Sequence, residues 1–254
     1  MRMNRSVWSS RLTAIGIAVT IAVLAIGSTA YVLSPIVRFV LGLLPFTLPA
    51  WGGLTLSVLL QQGVVFGSIA AGYLWLRDLD LGWIGVSRPD LNGVLWIVFG
   101  WIGAFGSVFV LLIIVLLLGL NPGQNQIQGL VVENPDLIPL LIVLTIVLIG
   151  PGEELLFRGI IQGSLRERFG PVLAIILASI IFASAHVGSL TGSLGDRAVT
   201  IAVLLVPSLI FGTAYERTNN LVVPALIHGL YNATLFTLTY VGLKYGSTTP
   251  AVLF

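Results

Sequence analysis

The sequence predicts an all-α fold, a polytopic bundle of about seven to eight transmembrane helices. Three observations lead there. Hydrophobic residues fill 57% of the 254 positions and charged residues only 9%, whereas a water-soluble domain carries about a quarter charged residues. Several stretches reach the roughly 20 apolar residues that a helix needs to cross a bilayer. The breaks between them hold Pro, Gly, Asn and charged residues, the punctuation of turns. No internal repeat or second domain stands out, so residues 1–254 read as one integral, multi-pass membrane domain.

Seven spans follow in order, at about 12–33, 51–76, 94–118, 137–161, 171–187, 199–215 and 221–243. Arg2, Arg5 and Arg11 precede the first, and Ser28-Thr29-Ala30 resembles a signal-peptide cleavage site. The apolar run continues to Leu33, which favours a retained helix. Pro45 and Pro49 separate the first two spans, and Ser87 to Asp90 the next two. A polar loop runs from Asn121-Pro122-Gly123 to Asp136. Gly150-Pro151-Gly152 weakens the fourth span, as in the broken helices of buried sites. Phe169-Gly170-Pro171 then makes a tight turn. The fifth and sixth spans are short, so one of them is expected to be tilted, broken or partly re-entrant. With the N-terminus inside, nine basic residues fall on the inner side and only Arg38, Arg197 and Lys244 on the other, the positive-inside pattern.

Composition also excludes. A net charge of +2 with no basic cluster offers nothing to nucleic acid. The absence of cysteine removes disulfides, thiolate zinc sites and a thiol nucleophile together. No His-Glu-x-x-His occurs. Asp196 is the sole near candidate for an aspartyl pair, and Ser189 and Ser193 lie in a Gly-rich loop without a nucleophile elbow.

What remains is a small set of ionisable groups at membrane depth: Glu153, Glu154 and Arg158 in the fourth span, His186 in the fifth and His228 in the seventh. Both histidines of the chain are among them. A charge at the bilayer centre costs about 2.5–3.5 kcal/mol even on the mildest scale, so these groups are expected to meet. Glu153 and His186 each stand about 16 residues from the Phe169/Gly170 turn. In an antiparallel hairpin that puts them at equal depth, roughly 24 Å along each helix. Gly159 and Gly163 form a small-xxx-small pair for a close helix neighbour. Glu154 and Arg158, four apart, share a face, as either a structural salt bridge or an orienting pair. Glu153 points about 100° away and lacks that cation, which makes it the candidate general base. His228 and Asn232 sit side by side at the same spacing, as do Phe182 and His186. The charge count places His186 near the outer side and Glu153 and His228 nearer the inner one, which a tilted or re-entrant fifth span would reconcile.

Three segments carry a family resemblance. Glu153-Glu154-Leu155-Leu156-Phe157-Arg158 resembles the E-E-x-x-x-R motif of the CAAX-protease and bacteriocin-processing (ABI/CPBP) family of intramembrane endopeptidases, Phe182-Ala183-Ser184-Ala185-His186 its F-x-x-x-H motif, and His228-Gly229-Leu230-Tyr231-Asn232 its H-x-x-x-N motif. The resemblance covers a catalytic half at about residues 137–243. It implies a helical bundle enclosing a polar chamber and hydrolysis of a peptide bond near a membrane-anchored chain end, including removal of the C-terminal tripeptide of prenylated proteins. A peptide or lipidated protein is then the substrate, in the cell membrane or, in a eukaryote, the endoplasmic reticulum. By the same resemblance Glu153 and His186 activate water, His228 and Asn232 stabilise the oxyanion, and Glu154 and Arg158 orient the site. Oxyanion donors of this kind are typically worth about 2.7–4 kcal/mol each. Glu153, His186 and His228 could equally hold a catalytic divalent metal such as zinc, so the cofactor is left open between zinc and none. Two further functions fit the same groups: a non-proteolytic binding or immunity protein that retains the pocket, and an ion or proton carrier that uses them as a relay.

Overall fold

A computed structural model describes residues 5–43 and 45–246; Arg2 of the basic count lies outside them. Seven helices are long and apolar enough to span a membrane, and no strand occurs among the described residues. The spans are α1 (Ser10–Gly42), α2 (Ala50–Leu76), α3 (Leu91–Leu117), α5 (Pro135–Arg166), α6 (Pro171–Ser189), α7 (Leu194–Thr218) and α8 (Val222–Tyr245). A short helix, α4 (Gln126–Glu133), precedes α5. The protein is an all-α, multi-pass integral membrane bundle.

Most departures from the expected boundaries have local causes. The first span runs on to Gly42 because Pro35 does not end it. A widened turn over Thr29–Leu33 precedes the proline, and the Ser34 hydroxyl donates to Thr29 O at 2.9 Å. Such π-turns absorb a helix irregularity without a break. In α5 the Gly150-Pro151-Gly152 stretch is likewise continuous, flanked by wide turns at Thr145–Ile149 and Leu155–Gln162. The expected weak point is therefore a bulge pair rather than a break. The polar loop before α5 contains α4, because the Asn125 side chain accepts from Ile127 N at 3.0 Å and caps it. The sixth span is not short. Ser193 and Asp196 form a capping box that starts α7 at Leu194.

α5 is the central span. Its Leu156, Phe157, Ile160 and Ile161 are buried against Ala18 and Ala25 of α1 and Ala174 and Ala178 of α6. Large apolar side chains such as Phe99, Phe109 and Leu116 face outward, as lipid-facing residues do.

Gly159 and Gly163 do admit close neighbours, but the neighbours are Ile84 and Trp83 of the α2–α3 connection rather than a helix. The close helix crossing lies elsewhere. A Cβ on Gly150 would sit 2.8 Å from Ala225 O, and one on Gly229 would sit 2.9 Å from Ile146 Cα. The α5 and α8 backbones therefore touch one turn from Glu153, Glu154 and His228. Gly229→Val should force the two helices apart, an overpacking cost of about 1–3 kcal/mol. Thermal unfolding in detergent, with a fall in the transition temperature, is the measurement.

The depth conflict that set His186 against Glu153 and His228 closes without a re-entrant α6, a candidate span in which His186 Nε2 lies 3.9 Å from Glu153 Oε2. Leu221 N donates to Gly85 O at 2.7 Å, and Ile84 packs on Gly159. α8 thus begins at about the level of Gly159, while the α5–α6 hairpin projects further. Arg166 pairs there with Glu216 at 2.7 Å, and Arg77 with Glu167 at 3.0 Å. From that level His228 and Glu153 are each six residues on, roughly 9 Å along the helices. They arrive at one depth.

Candidate active site

Consecutive glutamates on α5 diverge by about 100°, and they enter different surroundings. Glu154 is fully buried. One of its oxygens accepts from Arg158 Nε at 2.9 Å, and the other is 2.9 Å from His228 Nδ1. Arg158, also fully buried, donates from Nη2 to Ser208 Oγ at 2.8 Å and, at the longer 3.4 Å, from Nη1 to Ser179 Oγ. Its guanidinium lies 5.3 Å over the Phe182 ring. A buried ion pair is tolerated only when its remaining donors are satisfied, and here two hydroxyls and a ring face do that.

Glu153 turns the other way. Its Oε1 accepts from Gln62 Nε2 of α2 at 3.2 Å. Its Oε2 lies 3.9 Å from His186 Nε2 and 4.0 Å from His228 Nε2. The Glu153 and His186 side chains keep 15% and 24% exposure, so this end of the cluster is open. His228, at 5%, is held between the stacked Phe211 ring, 4.9 Å away, and the edge of Phe182.

Both imidazoles have their tautomer set by what faces Nδ1. His186 Nδ1 lies 2.9 Å from Phe182 O, and a carbonyl only accepts, so Nδ1 carries the proton. His228 Nδ1 faces the Glu154 carboxylate, which accepts in the same way. In each neutral ring the Nε2 lone pair is therefore directed at Glu153. Asn232 follows His228 by one turn of α8 and is half-buried, and its side chain makes no hydrogen bond among the described residues. All six residues singled out in the sequence thus lie on adjoining turns of α5, α6 and α8.

As a metal site this donor set has suitable chemistry and unsuitable spacing. Zinc-bound histidines use their second nitrogen as these do. Donors about 2.0–2.2 Å from a tetrahedral ion, however, stand roughly 3.3 Å apart, closer than the 3.9 and 4.0 Å found here. Among the described residues no three His, Asp or Glu side chains group closely enough to hold a metal. A cavity of about 310 Å³ at the α5–α6 tip, lined by Trp83, Gln162, Arg166 and Asn219, contains none of the clustered groups.

Residues 135–234 match the family described as Rce1-like: Type II CAAX prenyl endopeptidase Rce1-like. The matched segment is 100 of the 254 residues. It runs from the start of α5 into α8 and contains Glu153, Glu154, Arg158, His186, His228 and Asn232. The match agrees with the resemblance that the three motifs carry. No curated protein and no solved structure matches the chain.

Four residues of the site escaped the sequence reading: Gln62, Ser179, Ser208 and Phe211. Gln62 had a signal, since Gln61-Gln62 is an amide pair within an apolar span. The two serines had none, because helix serines commonly bond their own backbone.

Proposed function

We propose that the protein is an intramembrane endopeptidase that cuts a peptide bond near the membrane-anchored end of a lipidated chain, by removal of the C-terminal tripeptide of a prenylated protein. The observation that carries this reading is the convergence of Glu153 Oε2 on two imidazole Nε2 atoms at 3.9 and 4.0 Å. Gaps of that size suit one bridging water.

In this reading a water sits between Glu153 and His186. Glu153 takes one of its protons as the oxygen attacks the scissile carbonyl, and His186 Nε2 accepts a hydrogen bond from the other. The carbonyl becomes a tetrahedral oxyanion. When His228 takes up a second proton, at Nε2, it donates to this oxyanion, and the buried Glu154 carboxylate supplies the counter-charge. The unpaired Asn232 carboxamide is the second donor. Collapse breaks the C–N bond, Glu153 returns its proton to the leaving amine, and a new carboxylate and a free tripeptide result. Arg158, held by Ser208, fixes Glu154 and through it the His228 ring.

The test uses purified protein in liposomes with a farnesylated peptide ending in the CAAX pattern, beside the same peptide without its lipid. Release of the tripeptide from the lipidated peptide is expected, unchanged by a zinc chelator. Binding without product would favour a non-proteolytic role. Activity lost to chelator and restored by zinc would make the histidines metal ligands after all.

A further inference from the structure

Gln62 stands on α2, outside the Rce1-like segment and outside all three motifs. Its side chain is buried, whereas Thr55, Ser57, Gln61 and Ser68 of the same span are not. Nε2 donates to Glu153 Oε1 at 3.2 Å, while Oε1 of the same amide is buried with no donor among the described residues. A buried amide oxygen without a partner is a standing penalty. The fold accepts it in order to keep the amide beside the carboxylate.

Gly152 explains how the amide is held. A Cβ there would sit 2.8 Å from both Gln62 Cβ and Gln62 Oε1, and 3.1 Å from the Gln62 backbone oxygen. Only glycine lets α2 come this near to α5. The carboxylate is thereby divided: Oε1 is tethered by Gln62, and Oε2 is left facing the two histidines.

We infer that Gln62 is a positioning residue of the hydrolytic site, fixing the Glu153 carboxylate so that Oε2 faces the water between His186 and His228. The inference rests on the reading of Glu153 as general base. An untethered glutamate samples several rotamers, and a misplacement of about 1 Å can lower a rate about 10²-fold. Gln62 does not reach the substrate, so its loss should act on kcat and not on KM.

The experiment measures kcat and KM of the full chain in liposomes on the farnesylated peptide. Gln62→Leu and Gln62→Met keep the volume and remove the donor; Gly152→Ala displaces the amide and removes no polar group. All three are expected to lower kcat at least about tenfold with KM within about twofold; thermal unfolding should match the parent in the Leu and Met variants and fall in Gly152→Ala, whose Cβ would sit 2.8 Å from Gln62 Cβ. Using three variants keeps the test open if one fails to fold. A pure packing role predicts unchanged kcat in the Leu and Met variants and overturns the inference, as does a raised KM at unchanged kcat. Glu153→Gln, run in parallel, separates the two ideas. If it is inactive while the Gln62 variants keep full kcat, only the role of Gln62 falls. If it cleaves normally, the general-base reading falls and takes Gln62 with it.

Discussion

Glu153→Gln is expected to abolish peptide hydrolysis and leave the fold intact. Removing a general base typically lowers kcat by about 10²–10⁴-fold, and here no second carboxylate is placed to replace it. Glu154 is the nearest, but Arg158 and His228 occupy its two oxygens. Stability should hold because Glu153 anchors no ion pair at close range. Its short contact is the amide of Gln62 at 3.2 Å, which a glutamine at position 153 can still meet. The measurements are kcat on a lipidated peptide and the unfolding transition in detergent, taken on the same preparation. Full activity in the variant would end the case for water activation by this carboxylate.

The site was legible in the sequence because charge is expensive in lipid. Once every aspartate is assigned to a loop or a span edge, Glu153, Glu154, Arg158, His186 and His228 are conspicuous. Equal counts from the Phe169/Gly170 turn then place Glu153 beside His186, and the 3.9 Å separation bears out that geometry. The i, i+4 rule likewise anticipated the Glu154–Arg158 contact at 2.9 Å, across a wide-turned stretch of α5. Less legible was anything set by contacts between spans. Gly150 and Gly229 make the α5–α8 crossing, yet the small-residue pattern pointed to Gly159 and Gly163, which admit a loop. Spacing along one helix cannot say which neighbour fills a notch. The length of α1 was missed for a related reason. The apolar run ends at Leu33, but a widened turn over Thr29–Leu33 carries the helix on through Pro35. The start of α8 some way up the hairpin depends on the Leu221–Gly85 hydrogen bond, a contact between residues far apart in the chain.

Arg158→Met should destabilise the protein severely, and the reason bears on what the ion pair does. Methionine fits the space, but the change leaves the Glu154 carboxylate fully buried with only His228 beside it. Breaking a buried pair from one side costs about 3–5 kcal/mol, a large share of the roughly 5–15 kcal/mol that holds a typical domain folded. Folded yield and the unfolding transition should both fall sharply. Removing both charges, in Glu154→Gln with Arg158→Met, takes away the uncompensated carboxylate, so most of that loss should be recovered. Hydrolysis should not return with it. A neutral carboxamide offers His228 no counter-charge, so the imidazolium that donates to the oxyanion loses its support. Unfolding and kcat therefore separate in the double variant if the pair exists to orient His228. If the pair is only a structural bridge, they recover together. A single Arg158→Met variant as stable as the parent would show that the buried carboxylate finds another partner, and the orienting role would then have to be sought in Ser208 or Ser179, the hydroxyls that now hold the guanidinium.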